Sequence, residues 1–183
     1  MRRHWLAFAA LVAAVTATAP AAGAQQLLSG VDVMSSTVMQ EGQSSFSGIG
    51  LRARLHPDRL IPGVEILPSL EYWRNSSTVP PYDIHTTRKD ATLAVDARYN
   101  FKLNAWNPYV GAGYGIHFLS SRVDAPSFGL SDATDSVIKG GLAAMVGTTF
   151  VMTKRLDNFL ELKYHHIPGY RQLKINWGLA VKL

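Results

Sequence analysis

The chain has no cysteine among its 183 residues. That excludes a disulfide framework, thiolate chemistry, a Cys-ligated metal and a lipid-anchoring cysteine. Charge is also scarce: Asp, Glu, Lys and Arg make up 17% of the residues, and Lys and Arg form no block. Nucleic-acid recognition needs a clustered basic face or a stacking platform. Neither is present, so no nucleic-acid partner is expected. Beyond the N-terminus the chain also lacks any apolar run long enough for a membrane helix. Yet 47% of its residues are hydrophobic, too many for a disordered segment. What remains is one domain's length of chain, with 15 glycines and 9 prolines among many short runs. That is an all-β composition.

The N-terminus reads MRRHWLAFAALVAAVTATAPAAGA. Arg2 and Arg3 precede an apolar core from Trp5 to about Val15, and Ala22-Gly23-Ala24 supplies small residues. This predicts a secretory signal peptide over 1–24, cleaved between Ala24 and Gln25, because the apolar core is too short to span a bilayer. Residues 25–183 form the exported domain. Without Arg2 and Arg3 the formal charge falls from +5 to about +3.

Eight runs alternate between apolar and polar residues: Leu27–Met34, Phe46–Leu55, Val64–Arg74, Ala91–Phe101, Tyr109–Ser120, Ile138–Val151, Phe159–His166 and Leu173–Leu183. Period two assigns each run two faces. In the fourth, Ala91, Leu93, Val95, Ala97, Tyr99 and Phe101 oppose Thr92, Ala94, Asp96, Arg98 and Asn100. A soluble β-sandwich alternates too, so strand length has to decide. Most runs have 10–14 residues, against about 5–6 in soluble sheets. Tilted near 40°, eleven residues climb roughly 25–28 Å, the height of an outer-membrane apolar band. Short connectors (HPDRLIPG, KLNAWNP, MTKRLDN) alternate with mostly longer ones, including Asn75–Asp90 and Ser121–Ser136. An eight-stranded antiparallel up-and-down transmembrane β-barrel with outer loops is therefore expected. The last run reaches Leu183, as a strand closing against the first would. Aromatics are expected in two interfacial belts: Phe101, Trp106, Tyr109, Phe150 and Phe159 on the turn side, Tyr72, Trp73, Phe118, Tyr164 and Tyr170 on the loop side. Pro68, in mid-run, predicts a bulge or local break.

The polar phase of these runs collects Asp32, Glu65, Glu71, Asp96 and Glu161 with Arg52, Arg54, Arg98, Lys139, Lys163, Lys174 and Lys182, beside His117 and His165. Eight strands enclose a lumen that side chains can fill. Both signs in similar number predict a structural plug of ion pairs, since unpaired buried charge is costly.

PYVGAGYGIHF (Pro108–Phe118), VEILPSLEYWR and the stretch from Gly140 through TTFVMTKRLDNFLELKYHHIPGYRQLKINWGLAVKL resemble strands of the OmpA-like and opacity-protein families of outer-membrane barrels. The similarity covers nearly all of 25–183, as strand rhythm more than as an invariant motif. It implies the outer membrane of a Gram-negative-type envelope and a role in envelope integrity or surface interaction. Implied partners are outer-membrane lipid and lipopolysaccharide, the barrel-assembly machinery and an extracellular ligand. The family's usual terminal aromatic is replaced by Leu183, which weakens the assembly signal, and no second domain is expected after it.

Lipid A deacylases are enzymes of this size class, and they need a serine, a histidine and an acid together. His165 and His166 have no serine two residues away, and His117 lies three and four residues from Ser120 and Ser121. Lumen or interfacial histidines are the favoured reading, with no catalytic residue, cofactor or metal expected. His85, His117, His165 and His166 have no ligand spacing. A deacylase-like barrel and a narrow passive channel remain the alternative functions.

Overall fold

The computed structural model describes residues 28–40, 43–57, 62–80, 84–103, 106–125 and 130–183; the leader and its Ala24/Gln25 junction lie outside the described residues. The described chain forms strands β1 (Leu28–Gln40), β2 (Phe46–Leu55), β3 (Val64–Val79), β4 (Ile84–Asn100), β5 (Trp106–Ala125), β6 (Leu130–Val151), β7 (Leu156–Ile167) and β8 (Tyr170–Lys182). Each pairs antiparallel with the next, and β8 closes on β1 through Gly30↔Lys182 to Gln40↔Gln172. Following the ladder round the barrel returns to β1 about ten residues further along, a stagger that tilts the strands by roughly 40°. Closure leaves no strand edge to satisfy, the condition for a sheet in hydrocarbon.

The two faces are inverted relative to a soluble protein. The outside carries Leu142 (65% exposed), Trp177 (54%), Val95 (56%) and Leu93 (51%). The inside buries Arg52, Arg98, Lys163, Lys174 and Glu161 almost completely. Apolar side chains in solvent over so large a surface require lipid.

Strand ends depart most from expectation. Asn75–Asp90 and Ser121–Ser136 do not form long loops. β3 and β4 stay in register to Val79↔Ile84, and β5 and β6 to Ala125↔Leu130 after one register shift. Beyond the apolar region Ser, Thr and Asn occupy both faces, so the hydropathy alternation fades although the ladder continues. β5 has 20 residues. That is about 66 Å of strand, climbing roughly 50 Å at this tilt, twice the ~25 Å apolar band. On the loop side β7 and β8 meet in a tight turn at Pro168-Gly169, where Gly169 takes φ +81°, open to glycine at no steric cost. β1 likewise runs past Met34 to Gln40.

Pro68 produces no bulge. Its pairing with Val95 of β4 is intact, whereas the β2–β3 ladder lapses between Arg52↔Ser69 and Leu55↔Ile66. The missing donor is thus felt on the β2 side alone. The aromatic belts hold for Phe101, Trp106, Phe150, Tyr72, Phe118 and Tyr164, all at least 40% exposed. Tyr109, Phe159 and Trp73 are corrections: they are buried and point into the lumen, sharing phase with His117, Glu161 and Glu71. Tyr170 faces the outer mouth.

Candidate functional site: the lumen plug and its two mouths

Period two aims alternate residues of every strand inward, and closure brings them within reach across the barrel. Nearest the turn side, Arg54 meets Asp32 at 2.5 Å. Glu65 accepts from Arg98 Nε at 2.5 Å and lies 2.8 Å from His56 Nε2. Arg98 also stacks over the Tyr109 ring, 4.3 Å from its centroid, a contact that suits a planar guanidinium.

The next layer centres on Glu161 of β7. It accepts from both terminal nitrogens of Arg52 on β2 (2.8 and 3.0 Å), from Tyr109 Oη (3.0 Å) and from Asn176 Nδ2 (2.8 Å). Above it, Lys163 Nζ donates to Asp96 (2.7 Å) and Glu71 (3.0 Å), and Lys174 Nζ donates to Glu71 at 2.5 Å. Every member of these two layers is 5% exposed or less. Charges this deep persist only when paired and hydrogen-bonded.

Toward the outer side, His117 Nδ1 lies 2.9 Å from Asp90 Oδ2 and 2.9 Å from Thr92 Oγ1, and the Thr92 hydroxyl donates to Asp90 Oδ1 at 3.2 Å. His165 packs edge-on against His117, with ring centroids 5.2 Å apart. The plug thus unites Asp32 with Arg54, Glu65 with Arg98, Arg52 with Glu161, and Glu71 and Asp96 with Lys163 and Lys174. His117 joins a separate outer cluster. Lys139 stands apart at the rim, where its Nζ donates to the Pro168 carbonyl at 2.9 Å. Asp90 lies just outside the alternating run read from sequence, and Asp157, which pairs with Lys182 at 2.7 Å, lies in what reads as a turn. Counting phase back from Thr92 and Glu161 finds both.

The plug divides two mouths. The larger, of about 640 Å³, opens on the turn side between Arg54, His56, Arg98, Asn107 and Lys182. The outer one, of about 240 Å³, lies between Gln40, Trp73, Arg88 and Tyr170. His117 faces the lumen with Ser121 four residues along on the same phase of β5 and Ser120 on the opposite one, but the Nδ1 contacts of His117 go to Asp90 and Thr92, and His166 faces outward. Among the described residues no group of three or more potential ligands is placed to hold a metal ion.

Residues 7–182 match the family model described as "Outer membrane protein beta-barrel domain". The search of curated proteins found no sequence relative. Among solved structures the fold is similar to Neisserial surface protein A (NspA), with 18% identity, TM-score 0.63, and coverage of 86% of this chain and 97% of that one. It is similar to Ail of Yersinia pestis in complex with the heparin analogue sucrose octasulfate, at 15% identity, TM-score 0.61, and coverage of 86% and 99%. A major outer membrane protein from Thermus thermophilus gives 15% identity, TM-score 0.63, and coverage of 85% and 99%.

Proposed function

From this chain's membership of the outer membrane protein β-barrel domain family, which makes it an outer-membrane protein, we propose that it acts in surface interaction, engaging an extracellular ligand through the ribbons that β3–β4 and β5–β6 raise above the bilayer. One observation carries this role. Strands of 16 to 22 residues continue well past the apolar band as paired polar ladders. Such extensions bury no surface against lipid. They do present hydrogen-bonded, preordered edges and faces, which lowers the entropic cost of binding. The buried ion-pair layers favour this role over a passive channel, because they occupy the lumen between the two mouths. On this reading residues 1–24 serve export, and the purified protein begins at Gln25, which intact mass checks.

Ail, a similar fold, was crystallised with a heparin analogue, so a sulfated polysaccharide is the first probe. The test replaces residues 76–87 and 122–133 with tight turns. The trimmed chain should still assemble as a heat-modifiable barrel while cells bearing it lose binding to immobilised heparin or to a host-cell monolayer. Undiminished binding by trimmed cells would overturn the ribbon role, as would bilayer conductance above background for the intact protein.

A further inference from the structure

We infer that Ser29, His56 and Glu65 form a hydrolytic site in the turn-side mouth, built to cleave a small anionic carboxylic ester. The site is independent of the surface role: it lies at the opposite end of the barrel and opens to water rather than lipid.

The three residues come from separate segments and reach one cavity through the way the strands pair. Arg52, Arg54 and His56 share the inward phase of β2 as it ends, and Glu65 holds that phase at the start of β3. Ser29 does not. Counting back from Asp32 and Gly30, it belongs to the outward phase of β1. The ladder with β2 steps from Leu28↔Leu55 to Gly30↔Arg54, so Ser29 is the extra residue of a bulge. Bulges re-aim side chains, and this one turns the Ser29 hydroxyl into the mouth, against His56. On the β8 side the Leu183 N–H donates to the Ser29 carbonyl at 3.1 Å and fixes the bulge. Searching along the chain for a serine near a histidine misses this set, because bulge and strand pairing create it.

The chemistry follows from which ring nitrogen meets which partner. His56 Nε2 lies 2.8 Å from Glu65 Oε1, and the other Glu65 oxygen accepts from Arg98 Nε at 2.5 Å. A carboxylate only accepts, so Nε2 carries the imidazole proton and Nδ1 is left as the base. Nδ1 is the atom in contact with Ser29 Oγ. The Ser29 hydroxyl also lies 3.2 Å from the Arg54 carbonyl, a second acceptor for its proton. Glu65 is buried, whereas Ser29 and His56 are half-buried, and all three line the cavity.

Ser29 Oγ bonds to the acyl carbon as its proton passes to His56 Nδ1, and that proton leaves on the departing alcohol. Water then attacks the acyl carbon and gives a proton to the same nitrogen, which returns it to Ser29 Oγ as the acid leaves. The cavity, of about 640 Å³, suits a small molecule. Arg54, Arg98, Lys102 and Lys182 outnumber Glu65 and Asp157 on its wall. That excess favours an anionic substrate and stabilises the oxyanion.

The test uses the full chain folded in detergent micelles, which leave both mouths open to water, with heat-modifiability checking each variant. A small fluorophosphonate should phosphonylate Ser29, located by peptide mass, and His56→Gln should slow that labelling roughly 100-fold. Hydrolysis of the anionic ester acetoxynitrobenzoate should vanish in Ser29→Ala. Lys102→Gln should raise KM for that ester and leave neutral nitrophenyl acetate unaffected. Glu65 is a positioning residue, and Glu65→Gln should lower kcat with KM unchanged. If Glu65→Gln does not refold, Ser29→Ala and His56→Gln, which keep the Glu65–Arg98 contact, carry the test. Three results would overturn the site: no adduct on Ser29 in the folded chain, equal labelling rates with and without His56, or ester turnover retained by Ser29→Ala.

Discussion

Glu161 on β7 accepts hydrogen bonds from both terminal nitrogens of Arg52 on β2, at 2.8 and 3.0 Å, with both side chains fully buried in the barrel. Removing one partner leaves an uncompensated charge, a loss of about 3–5 kcal/mol. Glu161→Ala should cost more than Arg52→Met, because it also strands the Tyr109 hydroxyl and the Asn176 amide. Arg52→Met/Glu161→Gln, which removes the charges and keeps an acceptor, should recover most of the loss. Urea unfolding in vesicles, followed by tryptophan fluorescence, measures the cycle of Arg52→Met, Glu161→Gln and their double variant. Additive losses would mean the pair is uncoupled.

The two lysines bound to Glu71 are not equivalent. Lys163 also holds Asp96, whereas Lys174 does not. Lys174→Met therefore leaves Glu71 with a cation, while Lys163→Met leaves Asp96 with none among the described residues. Lys163→Met should be the more damaging by about 2 kcal/mol. Equal midpoints for the two variants would contradict this arrangement.

All eight strands and their inward phase are legible in the sequence, because burial by lipid on one side and by a polar plug on the other gives each strand a strict period of two. Arg52, Glu71, Asp96, Lys163 and Lys174 fall inward on phase alone. Their partners do not follow from it, since pairing depends on the stagger with which the sheet closes. Trp73, Tyr109 and Phe159 read as belt residues because aromatics favour interfaces, although phase places each beside a lumen charge. The outer ribbons escape for a different reason. Residues 75–78 and 85–88 are polar on both faces, and only the cross-strand register makes them strands.

Steric room at two strand glycines gives the next prediction. A Cβ at Gly178 would strike the Val33 carbonyl and approach the Phe159 ring to 2.8 Å, and Phe159 is fully buried. Backbone cannot yield there, so Gly178→Ala should cost about 1–3 kcal/mol. A Cβ at Gly50 meets Met34, with Cγ at 3.0 Å, and the Glu71 Cγ at 3.3 Å. Met34 is unbranched and can rotate aside, so Gly50→Ala should cost under about 1 kcal/mol. The fraction of refolded protein that runs as the compact unboiled band ranks the two. A larger defect in Gly50→Ala would refute the packing described for both sites.

The absence of native cysteine makes single-cysteine labelling an unambiguous reporter of how the barrel sits in the membrane. Ser77 is exposed on the projecting part of β3, Leu93 lies on the lipid face of β4, and Lys154 is exposed in the turn between β6 and β7. A membrane-impermeant maleimide should label Ser77→Cys on intact cells and leave Leu93→Cys unmodified, because thiolate formation and reagent access both need water. Lys154→Cys should react only after the outer membrane is permeabilised. Both termini of the barrel lie on the Lys154 side, since eight strands return the chain to the side from which it started. Labelling of Lys154→Cys but not Ser77→Cys on intact cells would invert the barrel, turning the ribbons toward the periplasm and removing the basis for the surface role.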